Sequence, residues 1–181
     1  MSLKELTSEA HRNAERQAFV KEMFSGNMDP TRYAEYLFNL HSMYDILERV
    51  AMGFNIFSEG LEELKRSDNI AADYRHLMKE EINQSKFKLK PVVKAYTRHL
   101  LNNVQMDKQK TIAHVYVRHM GDLSGGQMLK SRVPGPGLMY DFIDDPEVLK
   151  TKIRSLINDS MAEEANICFD FSTQLFKEMS E

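Results

Sequence analysis

The stretch from His114 to Arg132, HVYVRHMGDLSGGQMLKSR, joins a helical repeat to residues that helices ordinarily avoid. Tyr116, Met120 and Leu123 recur at helical spacing, and Lys130 and Arg132 fall where cations suit a helix C-terminus. Gly121, Gly125 and Gly126 interrupt that pattern. Each interior glycine costs about 1 kcal/mol relative to alanine, so three cost roughly 3 kcal/mol. That is a large share of a stability on the order of 10 kcal/mol. The compensation is access: without side chains, a helix backbone can approach something flat and large. Gly121 and Gly125, four apart, lie on one helix face. A Gly-Gly pair also serves simply to end a helix. A phosphate loop is excluded, because Gly126 is followed by Gln127 rather than a Lys-Ser/Thr pair, with no strand–helix alternation around it.

A second constellation sits near the N-terminus. Lys4 precedes His11 by seven residues and Glu15 follows it by four. On a helix all three share a side, with Lys4 about 10 Å from His11 along the axis. A neutral imidazole there can ligate a metal while its other N–H is held by an acceptor, and Lys4 can meet an anionic edge of the same ligand. No His-x-x-x-His or Glu-x-x-His pair occurs, which argues against a multi-histidine zinc or di-iron site. One axial histidine facing a glycine-thinned helix suits a planar macrocycle, which means haem.

The elements that must position these groups read as helices throughout. Ser2-Leu3-Lys4-Glu5 is a capping box that opens a first helix running to about Phe24, with Gly26 ending it. Asp29-Pro30 starts a second helix reaching about Met52, with the apolar stripe Tyr33, Leu37, Leu40, Tyr44, Leu47 and Ala51. Further helices are expected over 69–82 and 91–104, and the glycine-bearing helix from about Asp107. Val133-Pro134-Gly135-Pro136-Gly137 breaks the chain. A last helical region runs from Asp145-Pro146 almost to Glu181 with little interruption. The fold class is all-α, a single domain over residues 1–181 packed around one core.

Composition agrees. The 181 residues are 42% hydrophobic and 28% charged, as in an ordinary globule. A net charge of −3 gives no reason to expect nucleic-acid binding. Cys168 is the only cysteine, so no internal disulfide or cysteine-based metal cluster forms. No apolar run approaches the ~20 residues of a membrane span, and no signal-peptide core is present. A soluble, cytoplasmic protein is expected.

With these residues in view, the chain resembles the haem oxygenases. The likeness is close in Gly121-Asp122-Leu123-Ser124-Gly125-Gly126-Gln127, preceded by Tyr116-x-Arg118, and clear around Leu3-Lys4, His11 and Ala14-Glu15. The resemblance implies a helical bundle with haem b, both cofactor and substrate, between a proximal first helix and a kinked distal helix. His11 would ligate the iron, with Glu15 beside it. Gly121, Ser124, Gly125 and Gly126 would let the distal backbone sit against the ring. Lys4, Tyr116, Lys150 and Arg154 would meet the propionates, and Phe169 would be a wall aromatic. Asp122, supported by Arg118 and Tyr44, would handle protons through ordered water; Arg118 and Asp122, four apart, can pair. Val117, His119 and Ser172 depart from residues common in the family.

The implied reaction opens haem at a meso carbon, the alpha position, to biliverdin, carbon monoxide and ferrous iron, using dioxygen and reductant electrons. The sequence continues to Glu181 with no apolar tail, so it looks like the soluble bacterial, cyanobacterial and plastid-type members. For such a member the electron donor is expected to be ferredoxin, with a bilin reductase as a possible downstream partner. A haem carrier or sensor without turnover is the alternative on the same scaffold. Retention of Asp122 and Arg118 argues against it, since binding alone requires no proton delivery. A helical interaction protein whose glycines serve only packing is a third reading.

Overall fold

The computed structural model describes residues 1–181 and contains helices and no strand. Ten α-helices follow in order: α1 (Leu3–Leu6), α2 (Ser8–Glu15), α3 (Ala18–Ser25), α4 (Pro30–Gly53), α5 (Ser67–Met78), α6 (Pro91–His99), α7 (Lys108–Leu123), α8 (Gly125–Leu129), α9 (Pro146–Arg154) and α10 (Ala162–Met179). None is long and apolar enough to cross a membrane.

Local chemistry sets the boundaries. Ser2 and Glu5 form the expected capping box, and the Asp29 carboxylate accepts from the Arg32 amide with Pro30 at the first helical position. The α4 stripe is buried along its whole length, from Tyr33 to Ala51. It forms the centre of the bundle, with α5, α6 and α7 packed around it, while α10 lies against α2, α3, α6 and α7. One core of 42 residues results, and the buried Cys168 is a free thiol within it.

The structure corrects three expected continuities. The first helix is broken twice, at Thr7 (φ −108°, ψ 2°) and at Gln17 (φ −64°, ψ 143°), before Gly26 ends it with φ 78°. At the first break the Thr7 hydroxyl donates to the Leu3 carbonyl at 2.9 Å, a local bond that competes with helix propagation. The helix expected over 69–82 stops at Met78, where Lys79 turns left-handed (φ 61°). The last region divides into α9, a short 3-10 turn at Asp159–Met161, and α10. The helix from Pro91 does reach Val104, but Leu100–Val104 widens into a π-turn.

Two buried carboxylates tie distant segments to this frame. Glu48 on α4 accepts from the Arg66 and Ser67 amides at the head of α5, at 2.5–2.9 Å, where a helix N-terminus favours negative charge. Asp73 on α5 accepts from the Leu138 and Met139 amides at 2.8 and 2.9 Å. That fastens the loop after α8 and delivers Tyr140 to the glycine-rich segment.

Candidate active site

A cavity of about 930 Å³ opens between the N-terminal helices, α7, α8 and α10. It lies near the top of the ~300–1,000 Å³ range usual for ligand pockets. Lys4, His11 and Glu15 line it from the N-terminal helices, Tyr44 from α4, and Phe169, Ser172 and Phe176 from α10. Tyr116, Val117, Arg118, Met120, Gly121 and Asp122 come from α7, Ser124, Gly125 and Gly126 from the α7–α8 junction, and Arg154 from the end of α9. Of the candidate residues, only Lys150 is not brought to the cavity. Its ammonium pairs instead with Glu147, three residues back on α9, at 2.8 Å. Sharing a helix face with Arg154 therefore does not give Lys150 a share of the site.

The glycines divide by role. A Cβ built on Gly121 or Gly125 would meet nothing within 4 Å, so the missing side chains leave open cavity. A Cβ on Gly126 would lie 2.7 and 2.8 Å from the Tyr140 ring, so this glycine is set by close packing. The helix break falls between them, at Ser124 (φ −109°, ψ −99°). Gln127 clasps it: its amide donates to the Asp122 carbonyl at 2.9 Å and to the Tyr140 carbonyl at 3.0 Å.

On α2, one ring nitrogen of His11 lies 3.1 Å from the Glu15 carboxylate, and the ring stacks on Phe169 with centroids 5.1 Å apart. The imidazole is thus oriented on one side and half exposed. Lys4 and Arg154 enter no ion pair with a protein carboxylate, leaving two cations beside Tyr116 for an anionic ligand edge. Burial raises the Tyr116 phenol, against the opposing influence of Thr7 and the Arg154 charge, so it stays a neutral donor.

Arg118 and Asp122 do not pair, although their spacing permits it. The Tyr44 hydroxyl donates to Asp122 Oδ2 at 2.8 Å. Arg118 turns the other way: its Nε donates to the Tyr96 hydroxyl at 3.0 Å, and its guanidinium lies 4.4 Å from the Tyr96 ring centre. Its Nη2 is buried without a protein partner, and such a group ordinarily finds water or ligand. Burial pushes the Asp122 carboxyl up to about 7, with the Tyr44 hydrogen bond and the Arg66 charge opposing. A carboxyl that exchanges its proton near neutrality therefore faces the cavity. His119 is driven down to about 3, chiefly by burial, and stays neutral between Tyr44 and Phe57.

Sequence reasoning missed Tyr96, Tyr140 and Arg66. Tyr96 and Tyr140 read as core aromatics, and only their hydroxyls hint at more. Arg66 is an isolated cation in sequence; fold alone puts it on the Met139 and Asp141 carbonyls.

Comparison with known proteins bears on this geometry. Residues 1–178 match the family described as heme oxygenase. A heme oxygenase of Guillardia theta is 31% identical over 211 residues, spanning 99% of this chain and 85% of that protein. Heme oxygenase-1 from the cyanobacterium Synechocystis, solved in complex with heme, superposes with a TM-score of 0.84 at 26% identity, covering 97% of this chain and 89% of the other. The heme oxygenase of Leptospira interrogans gives 0.83 at 26% identity, covering 98% and 100%.

Proposed function

The chain belongs to the haem oxygenase family, and on that premise we propose that it opens haem b at the alpha meso carbon to biliverdin, carbon monoxide and ferrous iron. One observation carries the reading: His11 and the bare backbone at Gly121 and Gly125 open into the same 930 Å³ cavity. Bound haem supplies both the iron that activates dioxygen and the ring that is cleaved.

The protein's own residues bind, orient and move protons. His11 offers an imidazole nitrogen to the metal while Glu15 holds the ring in place. Lys4 and Arg154 would meet the propionate edge as cations and Tyr116 as a neutral hydrogen-bond donor, which together would orient the ring. The bare faces of Gly121 and Gly125 would let a flat ligand approach the helix backbone. Asp122 holds a proton that it releases to solvent in the cavity, and the Tyr44 hydroxyl on Oδ2 stabilises the carboxylate left behind. Arg118 adds positive charge without touching Asp122. Electrons come from a ferredoxin-type donor, and a bilin reductase is the reaction class that would consume the product.

The test is product analysis. Purified protein given haem, dioxygen and reduced ferredoxin should show loss of the Soret band with rising bilin absorbance. His11→Ala should bind haem more weakly and lose efficient turnover. A Soret band that persists through reduction and aeration without bilin would identify a carrier. Undiminished bilin yield in His11→Ala would remove that residue from its role.

A further inference from the structure

A second group of ligand-type side chains converges outside the cavity. His99 closes α6, His114 lies on α7 and Glu164 in the first turn of α10. Glu164 Oε1 lies 2.5 Å from His99 Nε2 and 2.7 Å from His114 Nε2, and the three ligand atoms fall within 4.8 Å of one another. His114 is fully buried, Glu164 nearly so, and His99 is 17% exposed, so the group has one opening to solvent. None of the three lines the large cavity.

We propose that His99, His114 and Glu164 form a binding site for a divalent first-row transition ion of the zinc class, separate from the haem. Two imidazoles and one carboxylate on three helices, open to solvent on one side, are the donor set of three-ligand zinc centres whose fourth position takes water. The surroundings suit it. The far nitrogen of His114 contacts the Tyr96 hydroxyl at 2.8 Å, and that of His99 contacts the Asn103 side chain at 3.2 Å. Ligating histidines need such partners to fix the ring and its tautomer.

Without metal, each ring donates its Nε2–H to the shared carboxylate oxygen, and His99 Nδ1 accepts from Asn103. Binding requires each Nε2 to give up its proton, which passes to Nδ1 where that nitrogen is bare and otherwise leaves to solvent. His114 then donates to the Tyr96 oxygen, whose own proton turns toward Cys168 Sγ, 3.9 Å away. His99 donates to the Asn103 amide oxygen once that amide turns over. Ligand bonds of about 2.0–2.2 Å imply tetrahedral ligand separations of about 3.3 Å. Glu164 Oε1 must therefore draw back from each nitrogen by less than 1 Å, and the two imidazole nitrogens, within 4.8 Å of Oε1 and of each other, must settle at the same spacing.

Occupancy also reaches the other site. Tyr96 accepts from Arg118 Nε at 3.0 Å, so a bound ion would hold the hydroxyl against which Arg118 rests.

The experiment is calorimetric titration of the apoprotein with zinc chloride, repeated with cobalt(II) to read tetrahedral visible bands. His11→Ala serves as the control for binding in the large cavity. The expected result is one equivalent bound by wild type and His11→Ala alike, weakened at least tenfold in both His99→Ala and Glu164→Gln. His99 lies at the surface end of the group, so its variant should fold normally, checked by circular dichroism. No binding below 1 mM, or binding that His11→Ala removes and His99→Ala preserves, overturns the proposal.

Discussion

Gly121 and Gly126 lie five residues apart in one motif, yet alanine should act on them with opposite sign. A Cβ at Gly121 meets nothing within 4 Å, and the residue sits inside α7. Gly121→Ala should therefore stabilise the apoprotein by roughly 0.5–1 kcal/mol, the ordinary gain for a helix interior. For 181 residues that raises Tm by about 1–4 °C. The same methyl projects into the space assigned to the ring, so haem affinity should fall. At Gly126 the new Cβ would lie 2.7 Å from a Tyr140 ring whose loop Asp73 holds through two backbone hydrogen bonds. Overpacking of that kind costs about 1–3 kcal/mol, and Gly126→Ala should lower Tm. Thermal unfolding by circular dichroism, paired with haem titration of each variant, reads both quantities. If Gly121→Ala destabilises the apoprotein, or leaves haem affinity unchanged while raising Tm, the claim that this glycine exchanges stability for access to the ring fails.

The other predictions concern charge and hydrogen bonding. Because burial raises Asp122 from its usual 3.8 to about 7, the folded state favours its neutral form. That contribution is fully present below pH ~4 and is lost as pH rises through about 7, at most ~4 kcal/mol at 1.36 kcal/mol per pH unit. Asp122→Asn should thus gain stability over wild type with increasing pH in urea melts, and a pH-independent difference would refute it. Tyr44→Phe removes the hydrogen bond that holds this carboxyl down, so any turnover inflection set by Asp122 should move to higher pH. An unmoved profile would detach Tyr44 from Asp122. Arg154→Ala should weaken haem binding by about tenfold or more, the worth of one charge-assisted hydrogen bond. Lys150→Ala, which breaks only a contact to Glu147, should leave binding unchanged; equal losses would place Lys150 in the site after all.

What could be read from the chain and what could not divides by sequence distance. The capping box at Ser2, the Asp29-Pro30 start and the α4 stripe are settled within a turn or two, and all three recur in the fold. Residue pairs that meet only through packing were out of reach. Tyr44 and Asp122 are 78 residues apart, His114 and Glu164 are 50, and nothing local to any of them marks the partner. Periodicity also misleads where one face carries two roles: Lys150 and Arg154 share a stripe, but α9 ends at Arg154, and only the last residue reaches the cavity. The glycine segment shows the same limit most sharply. Sequence assigns its three glycines one cost and leaves two purposes open, access for a flat ligand or the end of a helix. In the fold Gly121 lies within a helix and opens to the cavity, Gly125 begins a new helix where the interior penalty does not apply, and Gly126 is held by Tyr140. Most of the segment's ~3 kcal/mol cost thus disappears at the Ser124 break. What remains is concentrated at Gly121, so this position decides how closely a flat ligand can approach the helix.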